Sequence, residues 1–155
     1  MKSNNENTQN NSPQFSLQRI YLKDLSFESP RSIESLGDIS DRLKINLQLN
    51  TESRQTGDGT YEVTVFVTVT ADFEEKGKTL YLIEVKQAGL FALSGFSDQE
   101  LNNMLHAYCP GVLYPYARET VSTIVERGGF PQLLLNPMNF DALYEQQMQD
   151  RIVTA

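Results

Sequence analysis

The chain of 155 residues has one cysteine, no tryptophan and no apolar run long enough to cross a bilayer. A lone cysteine, Cys109, excludes an intramolecular disulfide and suits a reducing compartment. A membrane-spanning helix needs roughly twenty consecutive apolar residues, so none is expected. The opening Met1-Lys2-Ser3-Asn4-Asn5 lacks the apolar core of a signal peptide. Basic side chains are also in short supply, with 13 Lys and Arg against 20 Asp and Glu. Phosphate neutralisation needs a basic face, so nucleic acid is not expected as a partner. These absences point to a water-soluble cytoplasmic protein that does not insert into membranes and whose acidic surface suits a basic partner.

Reactive constellations are missing too. His106, the only histidine, stands three residues before Cys109. Together they supply two of the roughly four ligands of a closed zinc site, and no other Cys or His completes it. No glycine-rich phosphate loop is present, and no group of residues offers a nucleophile, a base and an oxyanion donor together. The chain is therefore read as no enzyme, with no metal and no cofactor.

Hydrophobic patterning is what the sequence does contain. Residues 1–14 are almost without apolar side chains, so burial cannot offset the entropy of ordering them, and a disordered tail is expected. A single domain is expected over 15–149, followed by a flexible tail over 150–155. Phe15 and Leu17 share one parity, whereas Ile20 and Leu22 share the other, which suggests a bulge or a strand contacted on both faces. Ser29–Asp41 reads as a connection, with Ile33, Leu36 and Ile39 as possible anchors. Strands follow by alternation, first Leu43, Ile45, Leu47 and Leu49, then the odd positions from Tyr61 to Ala71. Glu75-Lys76-Gly77-Lys78 supplies a turn, and a fourth strand runs from Leu80 to Leu93, with Leu80, Leu82, Glu84 and Lys86 on one parity. Ser97 with Glu100 forms a capping box that opens a helix. Pro110 marks a break, Pro115 a new helix start, Gly128-Gly129 its stop, and Asn139 caps a last helix from Phe140 to about Gln149. The expected fold is α+β, a four-stranded antiparallel sheet with helices packed on one side.

Three long motifs resemble one family. Gln18-Arg19-Ile20-Tyr21-Leu22-Lys23-Asp24-Leu25-Ser26-Phe27-Glu28-Ser29-Pro30, the run from Ala107 to Glu119, and Arg127 to Leu133 with Pro137 to Tyr144 are similar, in the same order, to SecB, the bacterial protein-export chaperones. The resemblance implies an ATP-independent chaperone that holds precursor proteins unfolded in the cytoplasm and passes them to the SecA ATPase. It also implies a homotetramer, built as a dimer of dimers. Asp24, Glu28, Leu82 and Glu84 match the family's SecA-docking positions. Phe27, Phe140, Leu143 and Tyr144 are expected in its client groove, with Met138 and Met148 adding adaptable apolar surface. Two competing readings are a chaperone of the same fold dedicated to one client, such as a toxin–antitoxin component, and a plain oligomeric scaffold. The acidic set speaks for the export role.

Overall fold

The computed structural model describes residues 12–30, 43–73 and 78–153. Most of the Asn-rich tail, the possible anchors Ile33, Leu36 and Ile39, and most of the Glu75–Lys78 turn lie outside the described residues. Four strands, β1 (Gln14–Glu28), β2 (Leu43–Gly57), β3 (Thr60–Phe73) and β4 (Lys78–Ser94), form one antiparallel sheet in the order β1-β4-β3-β2. The helical part comprises α1 (Asp98–Asn103), a π-helical turn (Met104–Tyr108), α2 (Cys109–Arg127) and α3 (Phe140–Val153).

Alternation decides which side of the sheet the helices take. Val63, Val65, Val67, Val69 and Ala71 of β3 are buried, and the register sets them opposite Gly89, Gln87, Val85, Ile83 and Tyr81 of β4. Directly paired residues share a face, so the two central strands present one continuous apolar surface. It packs against Leu113, Ala117, Val121 and Val125 of α2. Gly89 is needed at this contact, because a Cβ there would come within 2.8 Å of Leu113 Cδ2. Leu80 does not share the exposed face with Leu82 as its parity suggests. A register shift against Ala71 and Asp72 leaves it as the extra residue, and it is fully buried.

The parity change in β1 is a bulge, and a second one follows it. Register shifts fall between Leu17 and Arg19 and between Leu22 and Asp24, leaving Gln18 and Lys23 as the extra residues. Phe15, Leu17, Ile20, Leu22, Leu25 and Phe27 are thereby set opposite the helix-side residues of β4, despite their changing parity.

The prolines behave differently from the sequence expectation. Helical structure runs without a break from Asp98 to Arg127. Cys109 N–H reaches the Met104 carbonyl, a widened turn after which Pro110 falls in the first turn of α2, where its missing N–H costs little. Pro115 lies inside α2 instead of starting it. Pro115 and Gly111 are both exposed, so the carbonyl that Pro115 leaves without a donor is open to water. The caps are as expected: Ser97 and Glu100 exchange bonds of 3.2 and 3.1 Å, and Asn139 Oδ1 accepts from Ala142 N–H at 3.1 Å. Gly129, at φ 86°, ends α2, with Phe130 N–H bonded to the Val125 carbonyl and Gly129 N–H to that of Glu126. α3 extends to Val153, beyond the expected end near Gln149 and into the segment read as a flexible tail. No Gly or Pro lies between Phe140 and Val153 to stop it.

Candidate functional site

The sheet face turned away from the helices gathers the expected docking residues. Pairing of β1 with β4 sets Glu28 opposite Leu82, Ser26 opposite Glu84 and Asp24 opposite Lys86. Glu84 is therefore diagonal to both Asp24 and Glu28, and diagonal neighbours stand roughly 7–8 Å apart. All three carboxylates are exposed, with Leu82 half-buried among them. Ser26 Oγ donates to Glu84 Oε2 at a long 3.4 Å. Lys86, which the sequence reading left out of the cluster, offsets part of the repulsion and lies 5.6 Å from the centre of the Phe66 ring. Acid, base and leucine form an exposed patch that a basic, partly apolar partner would complement.

A second polar cluster occupies the same face. Glu62 on β3 accepts from the Tyr21 hydroxyl at Oε2 and from Lys23 Nζ at Oε1, 3.0 Å away. Arg54 Nη2 on β2 is 3.5 Å from Oε1. The Glu62 side chain is only 12% exposed. Hydrogen bonds from Tyr21 and then Lys23 hold its carboxyl below the usual range. Burial, reinforced by the bond to Glu62, pushes the Tyr21 hydroxyl up to about 12. Nothing in the sequence motifs marks Glu62, because its partners come from two other strands.

On the helix side the structure separates the expected groove residues. Phe27 stacks on Tyr81 with centroids 6.0 Å apart and lies 6.3 Å from Phe130. It approaches the end of α2 so closely that a Cβ on Gly128 would lie 2.5 Å from its Cζ. Tyr144 instead stacks on His106 at 5.2 Å, near the other end of the helical segment. The 22 residues from His106 to Gly128 span about 33 Å at the α-helical rise, so Phe27 does not meet α3 within one chain. Phe140 is 5% exposed, edge-on to Tyr114 at 5.6 Å, and serves the core instead of an open surface. Leu143 and Tyr144 remain half-buried, Met138 likewise, and Met148 is exposed.

Apolar surface that the motifs did not single out lies along β1. Leu17 and Leu22, on the helix side of this edge strand, are 36% and 46% exposed. Phe15 beside them is met edge-on by Tyr108 at 5.2 Å. Leu17 and Leu22, of opposite parity, both face the helix side because of the bulge between them, and they stand at the rim of the sheet, where one helix layer does not reach. Cys109 is fully buried and its thiol is pushed up to about 12 by burial, whereas His106 is exposed.

The single sheet thus carries one charged open face and one apolar rim. The family model described as preprotein translocase subunit SecB matches residues 8–151. Proteins named protein-export protein SecB are 48% identical over 88% of this chain and 84% of theirs in Marinomonas, and 52% identical over 86% and 85% in Alcanivorax borkumensis. The chain belongs to the SecB family of protein-export chaperones. A solved SecB-like chaperone of Mycobacterium tuberculosis, in complex with a ChAD peptide from an antitoxin, shares the fold at TM-score 0.66 and 17% identity. That match covers 81% of this chain and 91% of the other. Among the described residues, no helix is long and apolar enough to cross a membrane.

Proposed function

We propose that this chaperone keeps precursor chains unfolded in the cytoplasm without ATP and hands them to SecA, acting as a homotetramer arranged as a dimer of dimers. The observation that carries the reading is the convergence of Asp24, Glu28, Leu82 and Glu84 on one exposed face. Like charges so close are unfavourable on a free sheet, and a basic partner relieves them while gaining electrostatic steering. Clients are held on the other side by burial, which is non-directional and tolerates unrelated sequences. Leu143, Tyr144 and the β1 rim offer that surface, with Phe27 contributing at the far end of α2 and Phe140 anchoring α3. Binding the unfolded state opposes folding by mass action. A chaperone dedicated to a toxin–antitoxin client would not call for the acidic set.

The test is reciprocal. Glu84→Lys should abolish SecA binding in a titration yet still delay refolding of a slow-folding client and still sediment as four copies. Tyr144→Asp should do the reverse, weakening the delay while keeping SecA binding, because a charge placed on that surface loses solvation without a partner. Equal SecA affinity for Glu84→Lys and wild type would overturn the docking assignment.

A further inference from the structure

The bulge at Lys23 decides where the acidic residues of β1 point. Leu22 faces the helix side, opposite Gln87. In an unbroken pleat Asp24 would share that side, and Ser26 and Glu28 with it. The extra residue reverses the alternation, so these three appear opposite Lys86, Glu84 and Leu82, while Leu25 and Phe27 turn to the helix side, opposite Val85 and Ile83.

Side chains secure this irregularity from both sides of the sheet. On the helix side, buried Gln87 donates from Nε2 to the Tyr21 carbonyl at 3.1 Å, supplying a bond beside the point where the ladder is interrupted. On the open side, Tyr21 just before the bulge and Lys23, its extra residue, both donate to Glu62. Their path crosses β4 at Ala88, fully buried and paired with Tyr21, which is small enough to let the tyrosine reach β3. Arg54 on β2 closes on the same carboxylate, so one glutamate ties the bulged edge strand to the rest of the sheet.

We infer that Glu62, Tyr21, Lys23 and Gln87 are positioning residues for docking: they lock the bulge that presents Asp24 and Glu28 beside Glu84. The inference rests on the docking reading above and adds to it a cause for the geometry of the face. Without the lock, β1 exchanges the bulged register for others, and the acidic set is presented only part of the time. A purely structural cluster would alter melting without altering the affinity of the folded protein for SecA.

The experiment uses the full chain and measures two quantities, SecA affinity and backbone amide exchange at Asp24–Glu28 in the free protein. Glu62→Gln and Lys23→Met should each bind SecA about tenfold more weakly, the equivalent of one hydrogen bond to a charged group. Both should exchange faster at Asp24–Glu28 and still hold clients. Lys23→Arg, which keeps a cation in reach of Glu62, should bind nearly as wild type. Unchanged SecA binding by Glu62→Gln, alongside its loss in Glu84→Lys, would overturn the inference and leave the docking site standing. Weaker binding with unchanged exchange would overturn it as well, because Glu62 would then be a direct contact. If Glu84→Lys itself binds as wild type, the docking reading fails first and this inference falls with it.

Discussion

Adjacent residues of β4 belong to different worlds. Ile83 is fully buried beneath the helices, whereas Leu82 stands half-buried on the open face beside Glu28. One covalent step along a strand thus separates a residue that holds the fold together from one offered to a partner. The comparison teaches that apolar character alone assigns no role. Face does, and face is set by parity corrected for bulges.

Paired truncation breaks the comparison most severely. Ile83→Ala leaves a cavity under α2 and should cost about 2–5 kcal/mol in denaturant unfolding. Leu82→Ala should cost under about 1 kcal/mol, as surface changes usually do, yet weaken SecA binding. Similar losses of stability at both positions would erase the distinction between the faces.

Proton linkage sharpens it with a smaller effect. The depressed Glu62 carboxyl contributes stability above the ordinary carboxylate range, and that contribution is lost as pH falls through its folded value. Tyr21, pushed up to about 12, contributes below the phenol's ordinary 10.0 and loses that contribution as pH rises towards its folded value. Glu62→Gln should therefore destabilise by about 1–3 kcal/mol near neutrality. The gap between variant and wild type should narrow at either pH extreme. A gap independent of pH would show that the cluster contributes nothing through its charges.

The sheet was largely legible because the odd positions from Val63 to Ala71 are apolar without interruption, whereas β4, apolar on both parities in places and carrying Gln87 and Gly89 among the partners, signalled its face less clearly. Capping was legible for the same reason of locality, since Ser97 and Glu100 recognise each other within one turn. The acidic face was reached through the family resemblance, and Lys86 opposite Asp24 escaped it because a strand pair becomes known only with its register. The second bulge was encoded in the step from Leu22 to Leu25, both core-facing but of opposite parity. Leu80 and Phe140 misled because parity and helical spacing specify a face without naming what packs on it. Pro115 misled differently: an exposed proline can stay within a helix where water takes over the freed carbonyl, and exposure is a tertiary property.

The account's central claim is that the two faces bind by different physics, charge on the open face and apolar burial on the helix side. The direct measurement is the affinity of one preparation for SecA and for an unfolded client, each at low and high salt. Exposed charges are screened over about 8 Å at physiological ionic strength, whereas apolar burial is not weakened by added salt. The account predicts that raised salt weakens SecA binding, chiefly through slower association, while client binding holds. SecA affinity indifferent to salt, or both affinities falling together, would contradict it.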